Sequence, residues 1–420
     1  MDAFIINGGK RLSGNVKIGG AKNSALKLMC AALLTDKPVI LHNVPELDDI
    51  TSMARLLAHL GAKLGSHENN TLEIQADNVN DLTAPYELVR RMRASIIVLG
   101  PLLARFGKVK VSLPGGCAIG TRPVDMHLKA LEQMGATIEI DGGYVIAEAK
   151  QLVGAEIFFE KVSVGATENI LMAATLAEGE TVLHNAAREP EIVDLANMLI
   201  KMGAKIEGAG NETIKITGVP SLGGVEHTTV ADRIEAGSFI IAAAITNGDV
   251  FLENVPANIM GASLPKMREA GIIITEEGNG LRAKGSGSIK ATNVITAPYP
   301  GFATDMQAQF MTLMCLADGT STIEETIFEN RFMHVPELAR MGADIKITGH
   351  SAVVTGVDKF KGAEVMATDL RASFSLVIAA LAAEGQTKIN RVYHIDRGYE
   401  KVVRRLAALG ADIVRVKETI

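Results

Sequence analysis

Apolar residues recur along this chain with the period of a helix, in bursts that end at glycine. Met53, Leu56, Leu57 and Leu60 fall at i, i+3, i+4 and i+7 ahead of Gly61. Leu195, Met198, Leu199 and Met202 repeat that spacing ahead of Gly203. Such spacing lines one helix face and predicts an amphipathic helix packed on a core. The glycine stands where a helix C-terminus takes a left-handed residue. Short alternating runs follow, such as Lys205-Ile206-Glu207 and then Thr213-Ile214-Lys215-Ile216. A period of two with polar residues between predicts a β-hairpin. Upstream lies a second phrase: a small-residue helix apolar nearly all round, a turn, a strand and often an Asn. It recurs at 31–43, 173–185, 242–254 and 379–390. A helix without a polar face belongs in the interior.

These phrases form a repeat. Leu60-Gly61-Ala62, Met134-Gly135-Ala136, Met202-Gly203-Ala204, Ala270-Gly271-Ile272, Met341-Gly342-Ala343 and Leu409-Gly410-Ala411 place their glycines 74, 68, 68, 71 and 68 residues apart. Six units of about 70 residues then account for the chain. Each reads as buried helix, strand, amphipathic helix and hairpin. The α/β pattern predicts sheets outside and helices inside. A solenoid scaffold is the plain alternative, but the repeat is interrupted by loops rich in Arg, Lys and Cys.

Composition narrows the function. The 420 residues are 47% hydrophobic and 21% charged, which describes a foldable globular chain. Trp is absent, aromatics are 4% and the net charge is -6. Nucleic-acid binding by stacked rings or a basic surface is therefore not expected. An anionic ligand must be met by a local basic cluster. The N-terminus has no signal-peptide pattern, and no apolar run is long enough to span a membrane. Three scattered cysteines and no CxxC or HExxH motif suggest a reducing cytoplasm and no zinc site.

Four segments break the repeat and carry candidate chemistry. Gly19-Gly20-Ala21-Lys22-Asn23-Ser24 precedes an apolar helix and offers either a plain turn or an anion site at a helix start. The loop Leu113-Pro114-Gly115-Gly116-Cys117-Ala118-Ile119-Gly120-Thr121-Arg122-Pro123-Val124-Asp125 surrounds Cys117 with glycine and proline. Cys117 is either an incidental loop cysteine or, near Arg122, a thiol suited to an acid or a nucleophile, whereas Cys30 and Cys315 lie in apolar helical runs and read as core. Asp305, in Thr304-Asp305-Met306-Gln307, suits a helix N-cap or a general base. Arg331, Arg371 and Arg397 lie in joining loops. Singly they read as surface ion pairs; with Lys22, Arg93 and Arg122 they suit a cluster for carboxylate and phosphate.

At these segments the sequence resembles the UDP-N-acetylglucosamine 1-carboxyvinyltransferases of the enolpyruvyl transferase family. The likeness runs end to end through GGAKNSALKLM, RRMRASI, LPGGCAIGTRPVDMH, KVSVGATEN, NAAREPEIVDLAN, TDMQAQF, FENRFMHVPEL, MATDLRAS and YHIDRGYE. The resemblance implies two inside-out α/β barrels, each of three βαβαββ units. One domain would hold residues 1–21 and 230–420, the other 22–229 with the Cys117 loop, and the active site would lie in a cleft that closes on substrate. The implied reaction moves the enolpyruvyl group of phosphoenolpyruvate to the 3-hydroxyl of UDP-N-acetylglucosamine, releasing phosphate, in cytoplasmic peptidoglycan synthesis.

Carried over by motif, Cys117 resembles the proton donor and the site of a covalent adduct, and Asp305 the base. Lys22, Arg122 and Arg397 resemble the phosphoenolpyruvate ligands, with Arg331 and Arg371 nearby. Asn23, Arg93, the run Arg122, Pro123, Val124, Asp125 and Met126, the run Lys161, Val162, Ser163 and Val164, and Ile327 resemble the UDP-sugar contacts. No metal or organic cofactor is implied, and the partners are small molecules. Ile97 replaces a Trp that some members carry, and Ile327 a Val. 5-Enolpyruvylshikimate-3-phosphate synthase shares the fold and the transfer but lacks the Cys-bearing loop.

Overall fold

The structure, a computed structural model, describes residues 2–65, 68–90, 92–113 and 124–417, without the Arg93 side chain. The described residues divide into two compact units. Unit 1 takes the chain up to Gly19 and again from Ala231; unit 2 runs from Gly20 to Val230.

Six four-stranded sheets occur among the described residues, three to each unit, and all are wired alike. In one, Glu156–Phe158 runs parallel to Glu180–His184, which pairs antiparallel with Thr213–Thr217, which pairs antiparallel with Lys205–Glu207. Ile206 faces Ile216 across the expected hairpin. Thr213–Thr217 alternates exposed and buried positions, so one sheet face meets water and the other the core.

Each unit closes by returning its late segment to an early strand. Val225–Thr228 lies parallel to Val39–His42 in unit 2. In unit 1 the first strand, Asp2–Asn7, sits between Gln386–Asn390 and Asp412–Lys417. Pairings this remote in sequence lie outside any local pattern.

The helices without a polar face are inside, as their composition requires. Arg233–Ile245, Gln307–Met314 and Ser373–Ala382 pack together in unit 1. In unit 2, Leu99–Phe106 packs on Val164–Ala174, and Lys22–Ala31 is buried over nearly its whole length. The amphipathic helix Asp48–Leu60 buries Met53, Leu56, Leu57 and Leu60. Each such side chain contributes about 1.5–3 kcal/mol on leaving water. All six repeat glycines have left-handed φ, between 93° and 108°, which frees them of the Cβ penalty at the helix end. The recurrent Asn also has a cause. Asn43, Asn185 and Asn254 turn the chain at φ 55°, 55° and 64°, a conformation Asn tolerates. In the last repeat the turn falls one residue later, on Arg391 at φ 57°. No helix among the described residues is long and apolar enough to cross a membrane.

Candidate functional site

The candidate residues of unit 2 gather at helix starts. Lys22 opens Lys22–Ala31, with Asn23 half-buried beside it. Gly20 is required because a Cβ there would stand 1.7 Å from the Asn43 carbonyl oxygen. Lys22 is 5% exposed, and its Nζ donates to Asp49 at 2.9 Å. The segment is therefore a buried ion pair at a helix start rather than a plain turn. Asp194 braces the same corner: it accepts from Ser24 at 2.5 Å and from the Val230 N–H at 3.1 Å, and lies 2.8 Å from His227.

Ser163 caps Val164–Ala174, its Oγ accepting from the Ala166 N–H at 3.2 Å. Exposed Lys161 and half-buried Val162 lead into that helix, and Val164 is its first residue. A helix N-terminus beside a lysine favours an anion. Val124 precedes the neighbouring helix Asp125–Gln133, which begins with exposed Asp125 and half-buried Met126. Arg93 opens the 3₁₀ helix Arg93–Val98. One side chain ties these three elements together. Asn169 donates to the Ile96 carbonyl at 3.2 Å, meets His127 Nδ1 at 3.0 Å, and accepts from the Gly100 N–H at 2.6 Å. Burial pushes the His127 imidazole down to about 4, so it is neutral and can accept from Asn169.

Behind this face lies a buried charge pair. Lys27 Nζ stands 3.3 Å from Glu168, which has no exposed surface. Burial raises the Glu168 carboxyl to about 7. Burial likewise raises Cys30 in unit 2, and Cys315 in unit 1 to about 12; both thiols are core residues, as their helices indicated.

In unit 1 three candidates converge on one another. Asp305 lies inside the 3₁₀ turn Thr304–Met306, whose N-cap is Ala303, so the N-cap reading of Asp305 does not hold. Its carboxylate accepts instead from Arg331 Nη2 at 2.7 Å, and Arg331 Nη1 donates to Thr304 Oγ1 at 3.2 Å. Burial opposes the charge on Arg331; Asp305, Asp369 and Glu325 outweigh it and raise the guanidinium above its ordinary value. Arg371 donates to Asp232 and to the Gly398 carbonyl, both at 2.8 Å, and lies over the Tyr399 ring. Burial again opposes its charge, and Asp232, Tyr399 and Asp305 raise it. Arg331 and Arg371 are 5% and 2% exposed, so neither is the surface ion pair each resembled singly. Breaking such a buried pair costs about 3–5 kcal/mol. Half-buried Arg397 follows Tyr393–Asp396, one residue before the carbonyl that Arg371 holds. Half-buried Ile327 has its N–H on Glu325 at 2.9 Å.

Cys117, Arg122 and Pro123 lie outside the described residues, as does the Arg93 side chain. Asp49, Asn169, Asp232 and Glu325 were not singled out from the sequence, although Asn169 closes the segment KVSVGATEN and Asp232 caps Arg233–Ile245 by accepting from the Ile234 and Glu235 N–H groups. What no local pattern marks is the remote partner: Lys22 for Asp49, His127 for Asn169, Arg371 for Asp232 and Thr304 for Glu325. Among the described residues no group of His, Cys, Asp and Glu has the arrangement of a metal site.

The chain as a whole is similar to known proteins. The profile of EPSP synthase (3-phosphoshikimate 1-carboxyvinyltransferase) matches residues 6–406. The UDP-N-acetylglucosamine 1-carboxyvinyltransferase of Paramagnetospirillum magneticum is 58% identical, and that of Geotalea uraniireducens 56%, each over 100% of both chains. Among solved structures, the enolpyruvyl transferase NikO of Streptomyces tendae is similar at TM-score 0.89 and 26% identity, over 100% of this chain and 99% of its own. An EPSP synthase of Acinetobacter baumannii shares the fold at TM-score 0.79 and 19% identity, over 99% and 100%.

Proposed function

The chain belongs to the EPSP synthase family of carboxyvinyltransferases, and from that premise we propose that it transfers the enolpyruvyl group of phosphoenolpyruvate to the 3-hydroxyl of UDP-N-acetylglucosamine. The full-length identity with relatives of that name, 58% and 56%, carries the reading. The acceptor is a nucleotide sugar and the product an enolpyruvyl ether, the first committed intermediate of peptidoglycan synthesis.

In the addition step the sugar 3-oxygen bonds to C2 of phosphoenolpyruvate. The hydroxyl proton goes to Asp305, and C3 receives a proton from the Cys117 thiol. In the elimination step the bond from C2 to the phosphate oxygen breaks, phosphate leaves with the proton that Asp305 took up, and C3 returns a proton to the Cys117 thiolate, which restores the double bond and both groups. The Arg331 guanidinium orients Asp305 through the 2.7 Å contact. A base held in one position needs no reorientation at the moment of transfer. Lys22, Arg122 and Arg397 bind the phosphate and carboxylate of phosphoenolpyruvate, with Arg331 and Arg371 adding positive field. Such fixed charge stabilises developing anions without a metal.

Asn23, Arg93, Pro123, Val124, Asp125, Met126, Lys161, Val162, Ser163, Val164 and Ile327 bind the UDP-sugar. The capped helix start at Ser163 and Val164, with Lys161 ahead of it, suits a diphosphate. Both substrates are small anions, and we assign the reaction to the cytoplasm. We take the two domains of the enzyme as residues 1–21 with 230–420, and 22–229; the compact units divide instead between Gly19 and Gly20 and between Val230 and Ala231. The test is phosphate release from phosphoenolpyruvate with UDP-N-acetylglucosamine as acceptor, set against shikimate 3-phosphate. Release with the nucleotide sugar alone supports the reading; release with shikimate 3-phosphate alone overturns it.

A further inference from the structure

One buried carboxylate in unit 1 holds two of the site's loops together. Glu325 follows the strand Thr320–Glu324 and is 1% exposed. Its Oε1 accepts from the Thr296 hydroxyl at 3.0 Å, the Ile327 N–H at 2.9 Å and the Phe328 N–H at 3.2 Å. Its Oε2 accepts from the Thr304 hydroxyl at 2.9 Å. Thr296 in turn accepts from the Thr326 N–H at 2.9 Å, and its carbonyl accepts from the Thr326 hydroxyl at 2.6 Å. Thr304 adjoins Asp305 and accepts from Arg331, which donates to Asp305. An unbroken chain therefore runs from the Ile327 backbone through Glu325, Thr304 and Arg331 to the Asp305 carboxylate. Three donors on one oxygen suit an ionised carboxylate, which has acceptor capacity an amide lacks. Glu325 is also among the carboxylates whose charge raises the Arg331 guanidinium.

We infer that Glu325 is a positioning residue for the transfer: it sets the base Asp305 against the sugar-binding residue Ile327 by holding both loops on one carboxylate. The inference rests on the roles proposed above for Asp305 and Ile327. A buried glutamate with only a folding role would govern stability without separating substrate affinity from turnover. The Glu325 arrangement does separate them, because its two oxygens serve different loops. Oε2 reaches Asp305 through Thr304, whereas Oε1 holds the Ile327 backbone.

The experiment compares E325Q, T304V and T304S with the wild type by steady-state kinetics. T304V removes only the link toward Arg331 and Asp305. It lowers kcat about tenfold, the scale of one lost hydrogen bond, and leaves KM for UDP-N-acetylglucosamine unchanged. T304S keeps the hydroxyl and restores kcat. E325Q, which disturbs both oxygens, lowers kcat and raises that KM. Amide exchange read on residues 296–306 and 325–331 rises in both segments of E325Q, a readout that needs no turnover. If E325Q does not fold, T304V and its rescue by T304S decide the matter. Wild-type kcat and KM in T304V, or failure of T304S to restore kcat, overturns the role of Glu325. No phosphate release by the wild type overturns the proposed activity instead.

Discussion

Replacing Glu168 by Gln should change how stability depends on pH, and the structure gives the size and the sign. Glu168 lies within Val164–Ala174 with no exposed surface, 3.3 Å from Lys27. Burial raises its carboxyl from 4.5 to about 7, Lys27 pulls it back, and Glu191 and Glu189 add to the rise. Between those two pH values the folded protein holds a proton that the unfolded chain has released. The resulting stabilisation is full below about 4.5 and is lost as pH climbs through about 7. A rise of this size corresponds to about 3 kcal/mol across the window. Two buried histidines act in the opposite sense. Burial lowers His127 to about 4 and, with Arg331 nearby, His334 to about 3. Unfolded histidine takes up its proton near 6.5, so these groups remove stability as pH falls below that value. They are common to both proteins and cancel in a difference. Urea unfolding followed by far-UV circular dichroism from pH 4.5 to pH 8 is the assay. The wild type minus E168Q difference should fall by up to about 3 kcal/mol between pH 4.5 and 7 and then level off. Losing the carboxylate beside Lys27 offsets the variant's curve; the tilt reads the Glu168 proton. Parallel curves, or a difference that grows with pH, would refute the reasoning.

Three further outcomes are expected. Arg397→Ala should lower kcat/KM roughly ten- to hundredfold, the effect of losing one charge-assisted contact, with an unchanged melting temperature; early melting with full activity contradicts its ligand role. Asn169→Leu keeps the branched shape but leaves the Gly100 N–H and Ile96 carbonyl without this partner, at about 1–3 kcal/mol for each buried group left unpaired. It should raise KM for UDP-N-acetylglucosamine more than KM for phosphoenolpyruvate, and equal changes in the two would count against its bracing role. The epoxide phosphonate fosfomycin should alkylate Cys117 alone, since burial keeps Cys30 and Cys315 as inert thiols; peptide mass mapping that finds adducts on either of those two contradicts this.

The sequence by itself determined whatever depends on neighbours within a turn or two. The 3.6-residue spacing of Met53, Leu56, Leu57 and Leu60 defined a helix, and the glycine after it defined the helix end. The sixfold phrase set the number of sheets, because each copy carries the same local preferences. Apolar surroundings marked Cys30 and Cys315 as core before any fold was known. The tertiary structure alone decided what the candidate side chains touch. Asp305 in its local sequence suits a cap or a base, and only the approach of Arg331, 26 residues on, directs its carboxylate away from the helix end. Arg371 is an ordinary loop arginine until Asp232, 139 residues earlier, meets it in the interior. The remote partners of Asp49, Asn169 and Glu325 follow no pattern along the chain, since a hydrogen bond needs only two atoms within about 3 Å. That distance is set by how remote segments pack, which periodicity along the chain does not encode.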